Sequence, residues 1–401
     1  MNAWLSVIGI GEDGLDGLSP VARALVDGAE VLIGGERHLA MIPDDGRERR
    51  AWGRPLHALV EEIVERRGRQ VCVLATGDPL TYGIGVTLAR HIPRPEMTII
   101  PAPSAFSLAA ARLGWSLAEV DTLTLHGRPL ALLQSFVQPG AKLLLLSNDG
   151  TTPGQVAALL RARGYGDSYL SVFAHMGGPQ ESVIDERARD WGDRVCPDFN
   201  TIAVRCVAAP DAPLLPRAPG LPDAAFQNDG QLTKREVRAV TLAALAPVGG
   251  QHLWDVGAGC GSVAIEWLRA ARHATATAVE QQAERINLIA ANASALGTPH
   301  LDIVTGAAPA ALTNLPRPDA VFIGGGLRHD GLLDLCWESL RPGGRLVANA
   351  VTVQGEAALA TWYGRNGGTL TRLAIARAAP VGDLTGWKPF MPVTQLAVHK
   401  P

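Results

Sequence analysis

Apolar runs of strand length recur along this chain and alternate with stretches of helical period. In the first half the runs lie at Trp4–Ile10, Glu30–Ile33, Gln70–Ala75, Met97–Ile100, Thr122–Leu125 and Lys142–Leu146. Between them the 3.6-residue spacing predicts helices at Leu56–Arg67, Ile84–His91, Ala105–Leu113 and Gly154–Arg163. Ser19-Pro20 reads as an N-cap followed by the first helical position. From Tyr169 to Val207 the pattern is more antiparallel, with short strands around 177–181. Strand–loop–helix alternation predicts an α/β fold, and the late strands predict a mixed sheet.

The second half is more regular. A helix is expected from about Thr233 to before Pro247, then a strand ending at Val256 and a helix over Val263–Leu268. Strand Ala274–Val279, helix Ala283–Leu296, strands Leu301–Val304 and Asp319–Ile323, helix Gly331–Leu340 and strand Arg345–Ala350 follow. Strands Thr369–Ala376 and Thr394–His399 close the sheet. Between the halves, Pro210, Pro213, Pro216, Pro219 and Pro222 fall on every third residue. Polyproline II has that period, so the expectation is a semi-rigid spacer. The division expected is 1–207, a Pro-rich linker at 208–225, and 226–401.

The totals narrow the field. A chain of 401 residues, 47% hydrophobic with net charge −3, has room for two cores and no basic excess for nucleic acid. No apolar run approaches the roughly 20 residues of a membrane span, and the N-terminal stretch lacks a leader's basic and apolar regions. Cys72, Cys196, Cys206, Cys260 and Cys336 are scattered, without CxxC pairs or histidines at zinc spacing. That pattern argues against a metal site and disulfides, and for a reducing cytoplasm.

Candidate chemistry concentrates in LWDVGAGCGS, Leu253–Ser262. Asp255 ends the strand, and Gly257, Gly259 and Gly261, interleaved with Ala258 and Cys260, form a turn that a ligand can approach closely. A strand-end carboxylate repels a pyrophosphate but suits a cation, such as a sulfonium carrying an ammonium group. Glu280, ending the next strand, is placed to accept hydrogen bonds from a ribose diol. The earlier GIGEDG, Gly9–Gly14, satisfies G-x-G-x-x-G literally. Its helix, however, starts later, at Ser19-Pro20, and the next strand ends in Gly34-Gly35 without an acid, so a nicotinamide site is not expected.

Acid, glycine turn and second acid resemble the S-adenosylmethionine (SAM) site of class I methyltransferases. Residues 1–207 resemble the tetrapyrrole methylases of the class III methyltransferase fold. The matching landmarks are VIGIGEDG, IGGERHL (Ile33–Leu39), TGDPLTYGIG (Thr76–Gly85), PAPSAFSLAAARLGW (Pro101–Trp115), LHGR (Leu125–Arg128) and GGPQE (Gly177–Glu181). From about residue 226, QLTKREVRA (Gln231–Ala239), VTGAAPAAL (Val304–Leu312) and PDAVFIGGG (Pro318–Gly326) complete the second resemblance. Joined in this order, the halves are similar to the fused, decarboxylating precorrin C-5,15-methyltransferases of aerobic cobalamin biosynthesis.

That resemblance implies a class III tetrapyrrole methylase domain with mixed sheets, followed by a Rossmann-like class I domain. It also implies one SAM per domain, no metal, a small-molecule corrinoid substrate, and a homodimer or homotetramer. Gly257–Gly261 would hold the methionine part of SAM and Glu280 the ribose. Ala307 and Ala308 match a position beside the adenine, and Ala307 stands where relatives often carry an acid. Thr233 matches a cofactor contact, and reads equally as an N-cap in a capping box with Glu236. Gly77, Asp78, Pro79 and Ser104 match loops around SAM in class III enzymes; Asp78 reads also as a turn aspartate.

Tyr82, His126 and Arg128 are candidates for substrate contact, and Asn200-Thr201 for the adenine. Lys234, Arg235, Arg238, Arg328 and Lys388 are candidate anchors for ring carboxylates, each also readable as a surface charge. Arg328 and His329 follow a glycine run at a strand end, where open α/β sheets bind ligands, and His329 is a candidate proton donor. Glu266, inside an apolar helix, is a candidate buried acid or a satisfied structural carboxylate. The competing functions are a single-site methylase with one scaffolding half, a non-catalytic SAM-binding protein, and a methyltransferase of RNA or protein.

Overall fold

The computed structural model describes residues 3–53 and 56–401; Met1 and Asn2, which open the stretch weighed as a leader, lie outside them. The chain divides into two compact units, Met1–Leu130 with Pro139–Ala212, and Ala131–Gln138 with Pro213–Pro401.

The first unit carries two five-stranded sheets. Strands Leu5–Ile10 (β1), Val31–Gly34 (β2), Glu48–Ala51 (β3), Val71–Thr76 (β4) and Met97–Ile100 (β5) form a sheet in the order β3-β2-β4-β1-β5. All its pairings are parallel. Central strands covered on both faces read as unbroken apolar runs, and β1 is buried at every position. Asp121–Thr124 (β6), Lys142–Leu146 (β7), Tyr169–Ala174 (β8), Ser182–Arg187 (β9) and Asn200–Arg205 (β10) form the other sheet, in the order β6-β7-β10-β8-β9. Only β6 and β7 pair in parallel there, so this sheet is mixed, as the pattern predicts. The helix at Pro20–Asp27 begins as expected: Ser19 Oγ accepts from the Ala22 N–H at 3.2 Å.

The second unit is built on seven strands. His252–Val256 (β11), Thr275–Glu280 (β12), Asp302–Thr305 (β13), Ala320–Ile323 (β14) and Arg345–Ala350 (β15) run parallel. Thr369–Leu373 (β16) closes an edge, while Ala376–Val381 (β17) and Leu384–Pro389 (β18) form a separate hairpin. Val393–His399 (β19) enters antiparallel between β15 and β16. The order β13-β12-β11-β14-β15-β19-β16 puts a topological switch between β11 and β14. One apolar cluster contains Leu253, Ile265 and Trp267, and another Trp254, Ile323 and Trp362. Helix Val353–Asn366 and the hairpin were not anticipated from the pattern.

The Pro-rich stretch is not a free spacer. Leu215 and Leu221 are buried in the core of the second unit. The Glu266 carboxylate accepts from the N–H groups of Gly220, at 2.5 Å, and Leu221, at 3.0 Å. Arg238, with no exposed surface, donates to Glu266 at 2.6 Å and to the carbonyls of Leu221 and Thr233, with Phe226 across its face. Arg269 donates to the Leu215 and Pro216 carbonyls and to Ser135, whose hydroxyl donates to Leu296 and Gly297. Two buried guanidiniums thus tie otherwise irregular segments to the helices Arg235–Leu245 and Ser262–Ala270.

A buried pair is costly to break because one partner stays desolvated and unpaired, an effect of about 3–5 kcal/mol. Glu266→Ala should lose about that much stability and make residues 213–226 sensitive to proteolysis. Denaturant unfolding combined with limited proteolysis tests this; an unchanged cleavage pattern would contradict the latch.

Candidate functional site

In the second unit the site grows from the end of β11. Gly257, Gly259 and Gly261 all adopt positive φ, at 70°, 60° and 79°. At Gly257 a side chain is excluded twice over: the backbone is left-handed, and a Cβ would come within 2.9 Å of Gly325 Cα. The turn is held by its neighbours. The N–H groups of Gly257 and Ala258 both donate to the Val279 carbonyl, at 3.0 and 3.1 Å. Glu280 Oε2 accepts from the Gly259 N–H at 2.9 Å, while its Oε1 takes the N–H groups of Gln281 and Gln282. Oε1 is thereby filled, while Oε2 keeps acceptor capacity for a further donor. Asn292, 1% exposed and unforeseen from the sequence, donates to the Cys260 carbonyl at 3.0 Å and bonds Gln227 through both ends of its amide.

Asp255 is 1% exposed. Its Oδ2 accepts from the Ala264 N–H at 3.0 Å, and its Oδ1 has no partner. Burial pushes its carboxyl up to about 7; the Ala264 hydrogen bond opposes this and the charge of Glu280 adds to it. A buried acid with an orphaned oxygen beside a bare glycine turn suits a cationic ligand. The residues therefore fit the sulfonium and ammonium of SAM on chemical grounds. The glycines Gly324–Gly326 line the other side of the switch, with the Gly324 N–H donating to the Val256 carbonyl at 2.9 Å. Beyond them Arg328 and His329 are exposed. Ala307 is exposed and Ala308 half-buried after β13, and neither side chain carries a hydrogen-bonding group.

Three expectations are corrected by the packing. Arg238 and Glu266 lie within the core, fully engaged with each other and the 220–221 backbone. Arg238 therefore cannot anchor a substrate, and Glu266 is the satisfied structural carboxylate. The expected capping box is absent too: the helix runs Arg235–Leu245 with Lys234 as an N-cap lacking a side-chain bond. Glu236 pairs with Arg377 at 2.5 Å instead, while Thr233 accepts through its carbonyl from Arg238. Lys234 remains half-buried at the helix entrance, and Arg235 and Lys388 are exposed.

In the first unit the carboxyl ends of the parallel sheet converge. The Gly77 N–H donates to the Ile10 carbonyl at 3.0 Å, and the Gly77 carbonyl accepts from Ala102 at 3.1 Å. Pro79 is buried; Asp78 spends both oxygens locally, accepting from the Leu80 N–H at 2.9 Å and Thr81 Oγ1 at 2.8 Å. Ser104 caps its own helix through the Ser107 N–H. These side chains shape the loops, leaving mainly backbone for a cofactor. Tyr82, half exposed with φ 55°, donates to the Thr122 carbonyl at 3.1 Å. His126 and Arg128 are exposed on the loop after β6. Asn200 is buried and accepts from Ser147 at 2.5 Å. Among the described residues no group of three His, Cys, Asp or Glu is placed to hold a metal ion. No helix among them is long and apolar enough to cross a membrane.

The tetrapyrrole (corrin/porphyrin) methylase family matches residues 5–191, and the precorrin methyltransferase domain family matches residues 224–400. A precorrin-6Y C(5,15)-methyltransferase (decarboxylating) from a Sinorhizobium species is 48% identical over 396 residues, covering 98% of this chain and 96% of that protein. A Salmonella typhimurium cobalt-precorrin-7 C(5)-methyltransferase is 33% identical over 179 residues, covering 45% of this chain and 88% of its own length. From the same organism, a cobalt-precorrin-6B C(15)-methyltransferase (decarboxylating) is 34% identical over 173 residues, covering 42% of this chain and 89% of its own length. With one relative matched nearly end to end and both unit types present in the same order, the chain belongs to the precorrin-6Y C(5,15)-methyltransferase (decarboxylating) family.

Proposed function

We propose that this chain methylates a precorrin macrocycle at C-5 and C-15 and removes CO2 from its C-12 acetate, converting precorrin-6B to precorrin-8. The first unit takes the C-5 transfer; the second takes the decarboxylation and the C-15 transfer. The observation that carries this reading is the presence of two differently built loop clusters, each at the carboxyl edge of a parallel sheet, in a chain alignable end to end with a decarboxylating C(5,15) relative. Each unit binds one SAM, which supplies an electrophilic methyl group and a neutral thioether leaving group.

The residues' work is alignment and charge. Asp255 and Glu280 hold the cationic and ribose ends of the cofactor while the glycine turn admits it to backbone contact. Arg328 and Lys234 attract ring carboxylates at the rim, and His329 stands ready to protonate the carbon left after CO2 departs. In the first unit Tyr82, His126 and Arg128 supply the rim. A cytoplasmic homodimer or homotetramer completes the reading, supported by the exposed Val381, Leu384 and Trp387 of the β17–β18 hairpin.

Intact protein given precorrin-6B and SAM should yield a product with two added methyl groups and one CO2 lost, read by mass spectrometry. Transfer of a single methyl group would favour the one-site alternative. Glu280→Ala should abolish CO2-coupled C-15 methylation while C-5 methylation persists.

Asp255 gives a pH signature. Burial pushes its carboxyl up to about 7 in the folded chain, against about 4 when unfolded. Its stabilising contribution is therefore complete below about 4 and lost as pH rises through about 7. A bound cation favours the ionised form, so SAM affinity should rise through the same window with release of a proton. Titration calorimetry in buffers of differing ionisation enthalpy reads that proton; Asp255→Asn should abolish it and weaken binding about tenfold or more.

A further inference from the structure

The first unit contains a carboxylate–imidazole pair outside the loops assigned above. His175 follows β8 and Glu12 follows β1; His175 Nδ1 lies 3.0 Å from Glu12 Oε2. A carboxylate only accepts, so Nδ1 carries a hydrogen, and in the neutral ring Nε2 keeps its lone pair. Glu12 is held from the other side by Arg37, whose guanidinium lies 4.1 Å over the Phe199 ring. Arg37 also donates to Thr76 Oγ1 at 3.3 Å, and Thr76 directly precedes Gly77. A continuous set of contacts therefore runs from the cofactor loop to His175.

Sheet register places the pair. Ala174, the last residue of β8, is opposite Asn200 at the start of β10, and Thr201 is opposite Leu146 at the end of β7. Leu146 is in turn opposite Thr124 at the end of β6. His175 thus emerges from the same sheet end as His126 and Arg128, and Glu12 reaches it from the carboxyl end of the other sheet. His175 is held at φ 50°, a conformation costly for a residue with a Cβ, and its side chain is 24% exposed. Gly178 permits the approach of the Glu12 loop, since a Cβ there would come within 2.7 Å of Glu12 Cβ.

Replacing a ring methine hydrogen by methyl releases a proton, and the reaction assigned to this unit needs somewhere to put it. We propose that His175, oriented by Glu12, is the proton acceptor for C-5 methylation, an inference that rests on the C-5 role given above. The π pair of C-5 forms the bond to the methyl carbon as the C–S bond breaks with its pair remaining on sulfur. The C–H bond of C-5 then breaks, its pair returns to the macrocycle, and the proton passes to His175 Nε2.

The test uses the full chain with precorrin-6B and SAM. His175→Gln should slow single-turnover C-5 methylation by about 10²–10⁴-fold, with calorimetric SAM binding and CO2 release unchanged. Glu12→Gln should slow it less. In ¹⁵N NMR of the intact protein, neutral His175 should carry its hydrogen on Nδ1, a preference that Glu12→Gln weakens. Wild-type C-5 rates in His175→Gln, loss of SAM binding together with the rate, or hydrogen on Nε2 in the wild type would each overturn the proposal. If the wild-type chain leaves C-5 unmethylated, the functional reading itself falls and takes this one with it.

Discussion

The second unit depends on one backbone passing in contact with another. At the switch between β11 and β14, Gly257 and Gly325 meet so closely that no side chain fits between them. The glycine turn can neither shift toward β14 nor accept a side chain at Gly257. Glu280 and the Val279 carbonyl hold its other side. A turn so confined presents a fixed floor to a ligand, and that preorganisation is what an in-line methyl transfer requires. The unsatisfied oxygen of Asp255 follows from the same confinement. The acid is buried by the sheet with one oxygen unpaired, and burial raises its carboxyl to about 7.

The first unit reaches a comparable end by a different route. Its loops consume their own polar side chains: Asp78 in its turn, Ser104 at its helix cap. The chemistry left over is contributed across two sheets, by Glu12 and Arg37 from one and His175 and Phe199 from the other. No single stretch of sequence contains that group, which is why a reading along the chain passes over it.

The Pro-rich segment shows how irregular chain is secured. Its backbone donors and acceptors need partners when Leu215 and Leu221 are buried, and Glu266, Arg238 and Arg269 provide them. The same demand recruits Ala131–Gln138 into the second unit, through Ser135 against Leu296 and Gly297. These side chains are spent on the backbone and are unavailable to a substrate.

By itself the sequence determined the α/β class, the order of nearly every strand and helix, and the glycine turn between two acids, because each is written in local periodicity or adjacent residues. β3, the short helix Glu36–Ala40, helix Val353–Asn366 and the β17–β18 hairpin escaped it: the first two are short, the third has a weak apolar stripe and the hairpin buries little, so none leaves a strong pattern. Tertiary structure alone decided which charges face solvent. Arg238 and Arg328 look alike as residues in a chain, yet one fills the core against Glu266 and the other stands exposed beyond Gly326. A charge's role depends on partners far away in sequence, and only packing brings Glu12 to His175 or Gly220 to Glu266.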